Sequence, residues 1–397
     1  TGGSASVSGH YTTLRQAGAS VRHMLVTAAA QMWQVEMASC RTESSWVIHP
    51  DGNQRLAYAD LVGAAAELPL PSRAEVQLKE SKDFTLVGSP VPLYDAPSMV
   101  EGSALYGSDL QVPDMLYATV ARCPVFGGSV GSFDGSQAKA EPGVRDVVEI
   151  DRGIAVVADN TWAAIRGRDA LEVTWEEGRY ADWSSASIRQ QLVDKAPQPG
   201  DAVADGAGGA MDASYDIPYL AHATMEPMTC LADVRVDSCE VWAPSQAPQE
   251  ARQRARSITR LPLQDITVHV PLLGGGFGRR HGVDFVEEAV QISQAVGAPI
   301  KLVWTREDDT QHDLYHPLSY NYVSAKLDES GQPLGMPRVR SFPMESGVPT
   351  GYWRSVENFT EAFARESFLD EVAAEKNLDP YELRRALLAE RARRVLE

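Results

Sequence analysis

The segment Leu273–Arg280 reads LGGGFGRR and lies between a strand-like run at 266–270 and a helix-like run at 285–290. Three consecutive glycines between a strand and a helix let the backbone approach another group closely, because no Cβ atom intervenes. Amide groups at a helix start favour an anion, and the two arginines that end the segment can pair with phosphate. The spacing matches neither a P-loop nor G-x-G-x-x-G. The segment therefore predicts an approach to a phosphorylated cofactor, with a tight turn as the alternative.

Composition and charge narrow the classes of partner. The 397 residues are enough for two or three compact units, and 44% of them are apolar. The formal net charge of −18 argues against nucleic acid or an anionic membrane surface as partner, since both reward clustered lysine and arginine. None of the four cysteines forms a C-x-x-C pair, so the spacing supports neither an Fe–S cluster nor structural zinc. No run approaches the roughly 18 apolar residues of a transmembrane segment.

The alternation of strand-like and helix-like runs predicts an α+β fold with α/β elements. Residues 178–212 are rich in Ala, Gly, Asp and Ser and read as a connecting loop. The small, polar stretch Thr1–Ser6 precedes an amphipathic helix and is a second candidate anion-binding loop, with a flexible tail as the alternative.

Five groups of short sequence motifs occur in a specific order along the chain. They are, in order: Gly102–Tyr106, Met115–Ala118, Pro142–Val144 and Val156–Ala158; His222–Met228; Trp242–Gln246; Gly274–Gly278; and Thr350–Val356. Gln246 precedes Phe277 by 31 residues. This set resembles the large subunit of the molybdenum hydroxylases, the xanthine dehydrogenase and aldehyde oxidase family. The resemblance is strongest to the isoquinoline 1-oxidoreductase β-subunit branch.

The resemblance implies a domain order. Residues 94–177 resemble the a/b hammerhead domain, and residues 1–90 resemble a piece of the molybdopterin-binding region that is permuted relative to xanthine dehydrogenase. After the connecting loop, residues 213–397 resemble a truncated molybdopterin-binding domain.

Members of this family hold molybdopterin cytosine dinucleotide, in which a pterin dithiolene binds molybdenum, so no side chain is expected to bind the metal directly. The resemblance implies that the Gln246 amide donates to an oxo ligand and that Arg354 stabilises negative charge developing on the substrate. An ordinary strand-end amide and an ion-paired structural arginine are the respective alternatives. The other expected cofactor contacts are Gly2, Gly3, Ser4, Gly275, Gly276, Phe277, Gly278 and Arg279. For Arg279 the alternative is a solvated side chain.

Other residues that could suggest catalysis or metal binding are expected to be structural. Glu226 matches a structural position of the family. His222, His281, His312 and His316 lack a spacing that would close a metal site and are expected in the core or on the surface.

The family reaction replaces C–H by C–OH with oxygen from water. The resemblance therefore implies an oxidoreductase subunit that hydroxylates an electron-poor carbon of an N-heteroaromatic compound or an aldehyde. The family's base glutamate lies in a Gly-x-Gly-Glu segment that has no match here, and a longer connection is usual near Leu334–Pro337. We therefore expect an incomplete chain. The alternative is a non-catalytic or truncated homologue that binds cofactor or a partner without turnover; a nucleotide-binding oxidoreductase is a weaker one.

Electrons must leave such a site, and the chain has no cysteine cluster of its own. The resemblance implies a partner small subunit with [2Fe–2S] clusters, and it also allows a cytochrome c subunit. The substrate is a small molecule. The compartment stays open between bacterial cytoplasm and periplasm, with membrane association through a partner as a further alternative.

Overall fold

The computed structural model describes residues 3–197, 209–343 and 346–397, and the chain divides into two compact units, Thr1–Gly102 and Ser103–Glu397. The helices are α1 (Ser6–Trp33), α2 (Tyr58–Ala66), α3 (Ala96–Glu101), α4 (Ser136–Ala140), α5 (Thr161–Asp169), α6 (Ser185–Val193), α7 (Pro248–Thr259), α8 (Asp284–Val296), α9 (Arg306–Gln311), α10 (Glu357–Glu375), α11 (Pro380–Leu387) and α12 (Glu390–Leu396). The strands are β1 (Arg41–Glu43), β2 (Trp46–Ile48), β3 (Arg55–Ala57), β4 (Leu116–Ala121), β5 (Ser129–Asp134), β6 (Val144–Ile150), β7 (Gly153–Ala158), β8 (Glu172–Glu176), β9 (Ala210–Ile217), β10 (Thr229–Val234), β11 (Cys239–Trp242), β12 (Ile266–His269), β13 (Ile300–Val303), β14 (Ser319–Lys326) and β15 (Arg338–Pro343).

The first unit is a long helix packed on a small antiparallel sheet of order β1-β2-β3 and on α2. The predicted amphipathic helix is confirmed as α1. Its C-terminal half supplies Leu25 and Ala29 to a core that includes Val47 and Leu61. Leu14 lies on the predicted apolar face but is exposed, because the N-terminal half of α1 extends beyond this core.

The second unit is built on a mixed seven-stranded sheet of order β12-β11-β10-β13-β4-β7-β6. The β11–β12 and β13–β4 pairs are parallel, and the other neighbours are antiparallel. The apolar face of α8 packs on this sheet through Phe285, Val286 and Val290, which are fully buried. The predicted α+β class is confirmed. Strands from both predicted domains, 94–177 and 213–397, share this one sheet.

A second sheet, of order β15-β14-β9, is covered by α10, whose Phe368 and Val372 are buried against Val323. Helix α6 lies within the predicted connecting loop at 178–212, and strand β9 begins in its last three residues. Ile188 and Leu192 of α6 are buried, so the loop prediction is wrong for residues 185–193. A helix forms there because two apolar side chains four residues apart reach a core. Residues 198–208 lie outside the described residues.

Buried charges connect the seven-stranded sheet to α8 and α9. The Arg122 guanidinium lies 2.5 Å from the Glu288 carboxylate and 3.6 Å from that of Asp308. Arg168 pairs with Asp308 at 2.8 Å. His312 ends α9 beside this cluster, and burial together with the positive charge of Arg122 lowers the pKa of His312 to about 4.

Acid should destabilise the protein through His312. The unfolded chain protonates this histidine near its ordinary pKa of 6.5, whereas the folded state keeps it neutral to about pH 4. The unfolded state therefore binds more protons between these values, and stability present above pH 6.5 is lost as pH falls towards 4. The His312→Gln variant should lose about 2 kcal/mol less than the wild type between about pH 7 and 4.5 in urea unfolding. His10→Gln, at an exposed position, should keep the wild-type difference. Equal losses in the wild type and His312→Gln would contradict this expectation.

Candidate functional site

The glycine segment forms an irregular loop between β12 and α8, as its flanking patterns predict. Gly275 and Gly278 have φ values of +105° and +107°, which suit glycine. Phe277 also has a positive φ, +53°, which is uncommon for a bulky residue. Phe277 is 47% exposed. The loop therefore presents an aromatic side chain outward on a backbone that few sequences can adopt.

Gln246 is attached to this loop by its side chain and its backbone. Its Oε1 atom accepts a hydrogen bond from the Gly278 N–H at 3.1 Å, and its own N–H donates to the Arg280 carbonyl at 2.9 Å. The Gly278 N–H can only donate, so the side-chain atom of Gln246 that faces it must be the oxygen Oε1 and not the nitrogen Nε2. A Cβ on Gly276 would come within 2.7 Å of Oε1. The structure therefore brings Gln246, Gly276 and Gly278 together, and Nε2 is the donor atom of this side chain.

Three adjacent N–H groups of the loop have no acceptor within the part of the chain that the structure describes. Among the described residues, the backbone N–H groups of Gly275, Gly276 and Phe277 donate to no protein atom. Successive N–H groups in a concave backbone form a site for electron-rich atoms, and two of these three positions lack a Cβ. The loop can therefore accept a ligand that carries hydrogen-bond acceptors.

The segment around Tyr352 lies directly on the loop. A Cβ on Gly278 would overlap the Tyr352 carbonyl oxygen, so only glycine permits this approach. The same oxygen lies 2.8 Å from His222 Nε2. Tyr315 pairs with this segment through its N–H to the Pro349 carbonyl and its carbonyl to the Gly351 N–H, both at 3.0 Å. The predicted arginine segment is thus adjacent to the predicted cofactor loop.

Arg354 follows this contact by two residues and is exposed. Its guanidinium pairs with no carboxylate among the described residues, so the alternative of an ion-paired structural arginine has no support. The next two residues, Ser355 and Val356, have φ values of +64° and +52°. Backbone strain of this kind persists where the surrounding structure imposes it, and it often accompanies functional sites.

Arg279 and Arg280 do not reach solvent or an external phosphate. Both are 1% exposed or less. The Nη atoms of Arg279 lie 2.8 and 2.9 Å from the Asp284 carboxylate, and its Nε lies 2.6 Å from Asp313. Arg280 donates to Glu226 at 2.9 Å. The prediction that the Arg279 side chain contacts the cofactor phosphate is wrong. The alternative of a solvated side chain is also wrong, because the buried carboxylates of Asp284 and Asp313 pair with the guanidinium.

The contact between His222 and Asp313 is a feature that the sequence did not reveal. Both side chains are 1% exposed. Asp313 Oδ2 accepts from the His222 N–H and lies 2.9 Å from its Nδ1, while Nε2 faces the Tyr352 carbonyl. Both ring nitrogens face oxygen acceptors, so the two contacts are hydrogen bonds together only when both nitrogens carry a proton. His222 and Asp313 are 91 residues apart, and no local pattern joins them.

Glu226 organises the other side of the loop. Its carboxylate accepts from the Ser108 N–H at 2.9 Å, the Gly274 N–H at 3.0 Å and Arg280. This geometry agrees with the structural role expected of Glu226.

A cleft of about 890 Å³ opens beside Glu226, with Phe277 and Lys301 among its lining residues. Burial lowers the pKa of Lys301, whose Nζ donates to the Leu110 carbonyl at 2.9 Å.

The two remaining cofactor predictions lie in the first unit. Gly3 and Ser4 both have positive φ values, +63° and +51°, directly before α1. The N-terminus of α1 has no side-chain cap, because Ala5 occupies the capping position. Gly2 lies outside the described residues.

Comparison with known proteins relates this geometry to a family. Residues 189–338, which include Gln246 and the glycine loop, match the family model described as "Molybdopterin cofactor-binding domain". The chain is thus similar to molybdopterin-binding proteins over this range, in agreement with the resemblance seen in its sequence. It is 27% identical to isoquinoline 1-oxidoreductase subunit beta of Brevundimonas diminuta, over 98% of this chain and 61% of that protein.

A second relative, which aligns over a similar share of the chain, is the membrane-bound aldehyde dehydrogenase [pyrroloquinoline-quinone] of Gluconacetobacter polyoxogenes. The two are 29% identical over 99% of this chain and 60% of that protein. Among solved structures, quinoline 2-oxidoreductase of Pseudomonas putida has the same fold with a TM-score of 0.63, at 18% identity, over 77% of this chain and 50% of that one. The chain thus spans about three fifths of these two curated relatives. Within the described ranges, every helix is too short or too polar to cross a membrane.

Proposed function

We propose that this chain is the cofactor-binding part of a molybdenum-dependent oxidoreductase that hydroxylates an electron-poor carbon with oxygen from water. The substrate class is an N-heteroaromatic compound or an aldehyde. The observation that carries the proposal is the meeting of three distant segments: the Gln246 amide, the glycine loop and the backbone that leads to Arg354. The named relatives are oxidoreductases, which does not favour the alternative of a homologue without turnover.

The residues present fit a molybdopterin cofactor. When bound, this cofactor supplies a metal that takes up electrons from the substrate. The unpaired N–H groups of Gly275, Gly276 and Phe277 donate to its acceptor atoms, and Gln246 donates through Nε2. Fixed donors of this kind favour negative charge without rearranging during the reaction.

We extend the proposal to the cytosine dinucleotide form of the cofactor. Its pyrophosphate requires donors other than Arg279, whose side chain is engaged in the interior. The positive-φ turn at Gly3 and Ser4 precedes uncapped N–H groups at the start of α1, and such groups favour phosphate.

Arg354 orients the substrate and stabilises negative charge that develops on it. Its exposed guanidinium, which pairs with no carboxylate of the described ranges, offers five N–H donors at the end of the segment that lies on Gly278. The turn at Ser355 and Val356, with two positive φ values, directly follows this arginine. No residue of this chain is assigned as the general base, because the family's Gly-x-Gly-Glu segment has no match in the sequence.

Metal and nucleotide analysis tests the proposal directly. Protein purified from its native host should contain molybdenum and should release cytidine monophosphate on acid treatment, in amounts near one per chain. Absence of both from folded protein would reject the function. Molybdenum with a different nucleotide would reject the cytosine form alone. Pyrroloquinoline quinone in place of molybdenum would favour the chemistry named for the Gluconacetobacter relative.

A partner must carry the electrons away, and we propose a small subunit with [2Fe–2S] clusters, with a cytochrome c subunit as a further partner. The four cysteines of this chain are free thiols, and Cys123, Cys230 and Cys239 are buried. Electron paramagnetic resonance of the complex purified under mild conditions should show iron–sulfur signals. The isolated chain, separated from its partner, should show no iron–sulfur signals.

The Gln246→Ala variant should lower the turnover number about 100-fold while the protein retains its molybdenum. Removal of one preorganised donor at a reacting centre typically has an effect of this size. Gln249→Ala, at an exposed position three residues later, is the matched control and should keep wild-type turnover. Turnover of Gln246→Ala within a few-fold of wild type would show that this amide serves only the loop's structure.

A further inference from the structure

A second, smaller cleft lies beside the segment that precedes Tyr352. It has a volume of about 360 Å³, near the lower end of the range for small-molecule sites. Its walls carry five aromatic side chains: Phe126, Tyr180, Trp183, Tyr219 and Tyr315. The sequence did not predict any of these residues as part of a site, because they are scattered over about 190 positions of the chain and belong to no motif.

The aromatic walls are held in place before any ligand binds. Tyr180 and Trp183 form a T-shaped pair with ring centroids 5.0 Å apart, and Phe126 and Tyr315 form another at 5.8 Å. The Tyr180 ring lies so close to the backbone of Gly347 that a Cβ there would overlap it. Rings restrained on several sides lose little conformational freedom when they contact a ligand.

The hydroxyl groups of the three tyrosines already have partners. Tyr315 Oη donates to the Thr310 carbonyl at 2.7 Å, and Tyr219 Oη is hydrogen-bonded to Ser346 Oγ. Tyr180 Oη accepts from Arg179, whose guanidinium lies 4.6 Å from that ring's centroid. No charged side chain lines the cleft among the described residues. The cleft therefore offers ring faces and edges but no counter-ion.

The cleft is close to the proposed site along the chain. Val348 lines it, and Tyr352, four residues later, contacts Gly278 of the cofactor loop. Four residues span at most about 14 Å of extended backbone. Tyr315 contributes its ring to the cleft and its backbone to the pairing with Pro349 and Gly351. The same segment therefore forms part of both features.

We propose that this cleft is a substrate subsite for neutral, planar aromatic ring systems. The proposal rests on the proposed function and narrows its substrate class from N-heterocycles or aldehydes to uncharged aromatic ones. Offset-stacked and edge-to-face contacts favour a planar ring between such walls. An anionic ring would lose hydration without gaining a paired cation.

Equilibrium dialysis of the purified full chain tests the subsite without turnover. At about pH 8 isoquinoline is uncharged and nicotinate is an anion, so the two probes separate aromatic recognition from charge. Wild-type protein should bind isoquinoline at least ten-fold more tightly than nicotinate. Trp183→Ala should weaken isoquinoline binding about five-fold or more, whereas Trp183→Phe should stay within two-fold of wild type. Trp162→Ala, which changes a 68% exposed tryptophan outside the cleft, is the control.

The outcomes separate this inference from the proposed function. Equal affinity for the two probes would overturn the subsite, and so would isoquinoline binding that is the same in wild type, Trp183→Ala and Trp183→Phe. Circular dichroism verifies that the variants are folded. If Trp183→Ala does not fold, the comparison of wild type with Trp183→Phe still tests the proposal. Protein without molybdenum that still binds isoquinoline through Trp183 would reject the proposed function and keep the subsite.

Discussion

Replacing Asp313 with alanine is expected to lower the free energy of unfolding by about 3–5 kcal/mol, the range found when one partner of a buried ion pair is removed. Asp313 is 1% exposed and receives hydrogen bonds from the His222 backbone and ring, and it pairs with Arg279. Without its carboxylate, Arg279 loses one of its two paired carboxylates and keeps Asp284, and His222 loses the group that orients its ring towards Tyr352. Urea unfolding followed by circular dichroism measures the loss.

The matched control is Asp159→Ala. Asp159 also pairs with an arginine through two hydrogen bonds, at 2.6 and 2.8 Å, but the side chains of Arg145 and Asp159 are 60% and 40% exposed. Exposed pairs contribute about 1 kcal/mol or less. A loss for Asp313→Ala no larger than that for Asp159→Ala would show that the buried network does not hold the unit together.

The Gly278→Ala variant should retain less than a tenth of the wild-type molybdenum content. A Cβ at this position overlaps the Tyr352 carbonyl oxygen, so either the loop or the arginine segment must move. Movement of the loop displaces the N–H groups of Gly276 and Phe277, which we propose as donors to the cofactor. Elemental analysis of protein produced and purified in parallel with the wild type measures the effect.

Gly297→Ala separates steric overlap from backbone strain. Gly297 ends α8 with a φ of +73°, and a Cβ there would have no neighbour within 4 Å. This variant should lose about 1 kcal/mol of stability and keep its molybdenum. If Gly278→Ala and Gly297→Ala retained equal molybdenum, the contact between Gly278 and Tyr352 would have no role in cofactor binding.

Much of the site could be predicted because its parts are local. The glycine loop is a short strand–loop–helix pattern, and the spacing from Gln246 to Phe277 belongs to one stretch of chain. The motif around Glu226 likewise predicts a structural role for this residue. The roles proposed for Gln246, Arg354, Gly3 and Ser4 stay predictions until the variants and the cofactor analysis test them.

The burial of Arg279 and Arg280 could not be predicted in this way. An arginine after a glycine loop has the same local pattern whether it meets a phosphate outside or a carboxylate inside. Asp313 lies 34 positions after Arg279, on the far side of α8 and β13. The choice between solvent and interior depends on this distant partner, because a buried cation is stable only when it is paired.

The sequence by itself determined the α+β class, the resemblance to molybdopterin-binding subunits and the backbone freedom of the loop, since periodicity, motif order and glycine positions are local properties of the chain. Only the tertiary structure decided which groups face the site. It placed Arg279 inside, set Tyr352 on Gly278 through His222 and Asp313, and gathered five dispersed aromatic rings around one cleft. These outcomes depend on contacts between residues that are far apart in the chain, and such contacts are selected by the packing and charge balance of the whole fold.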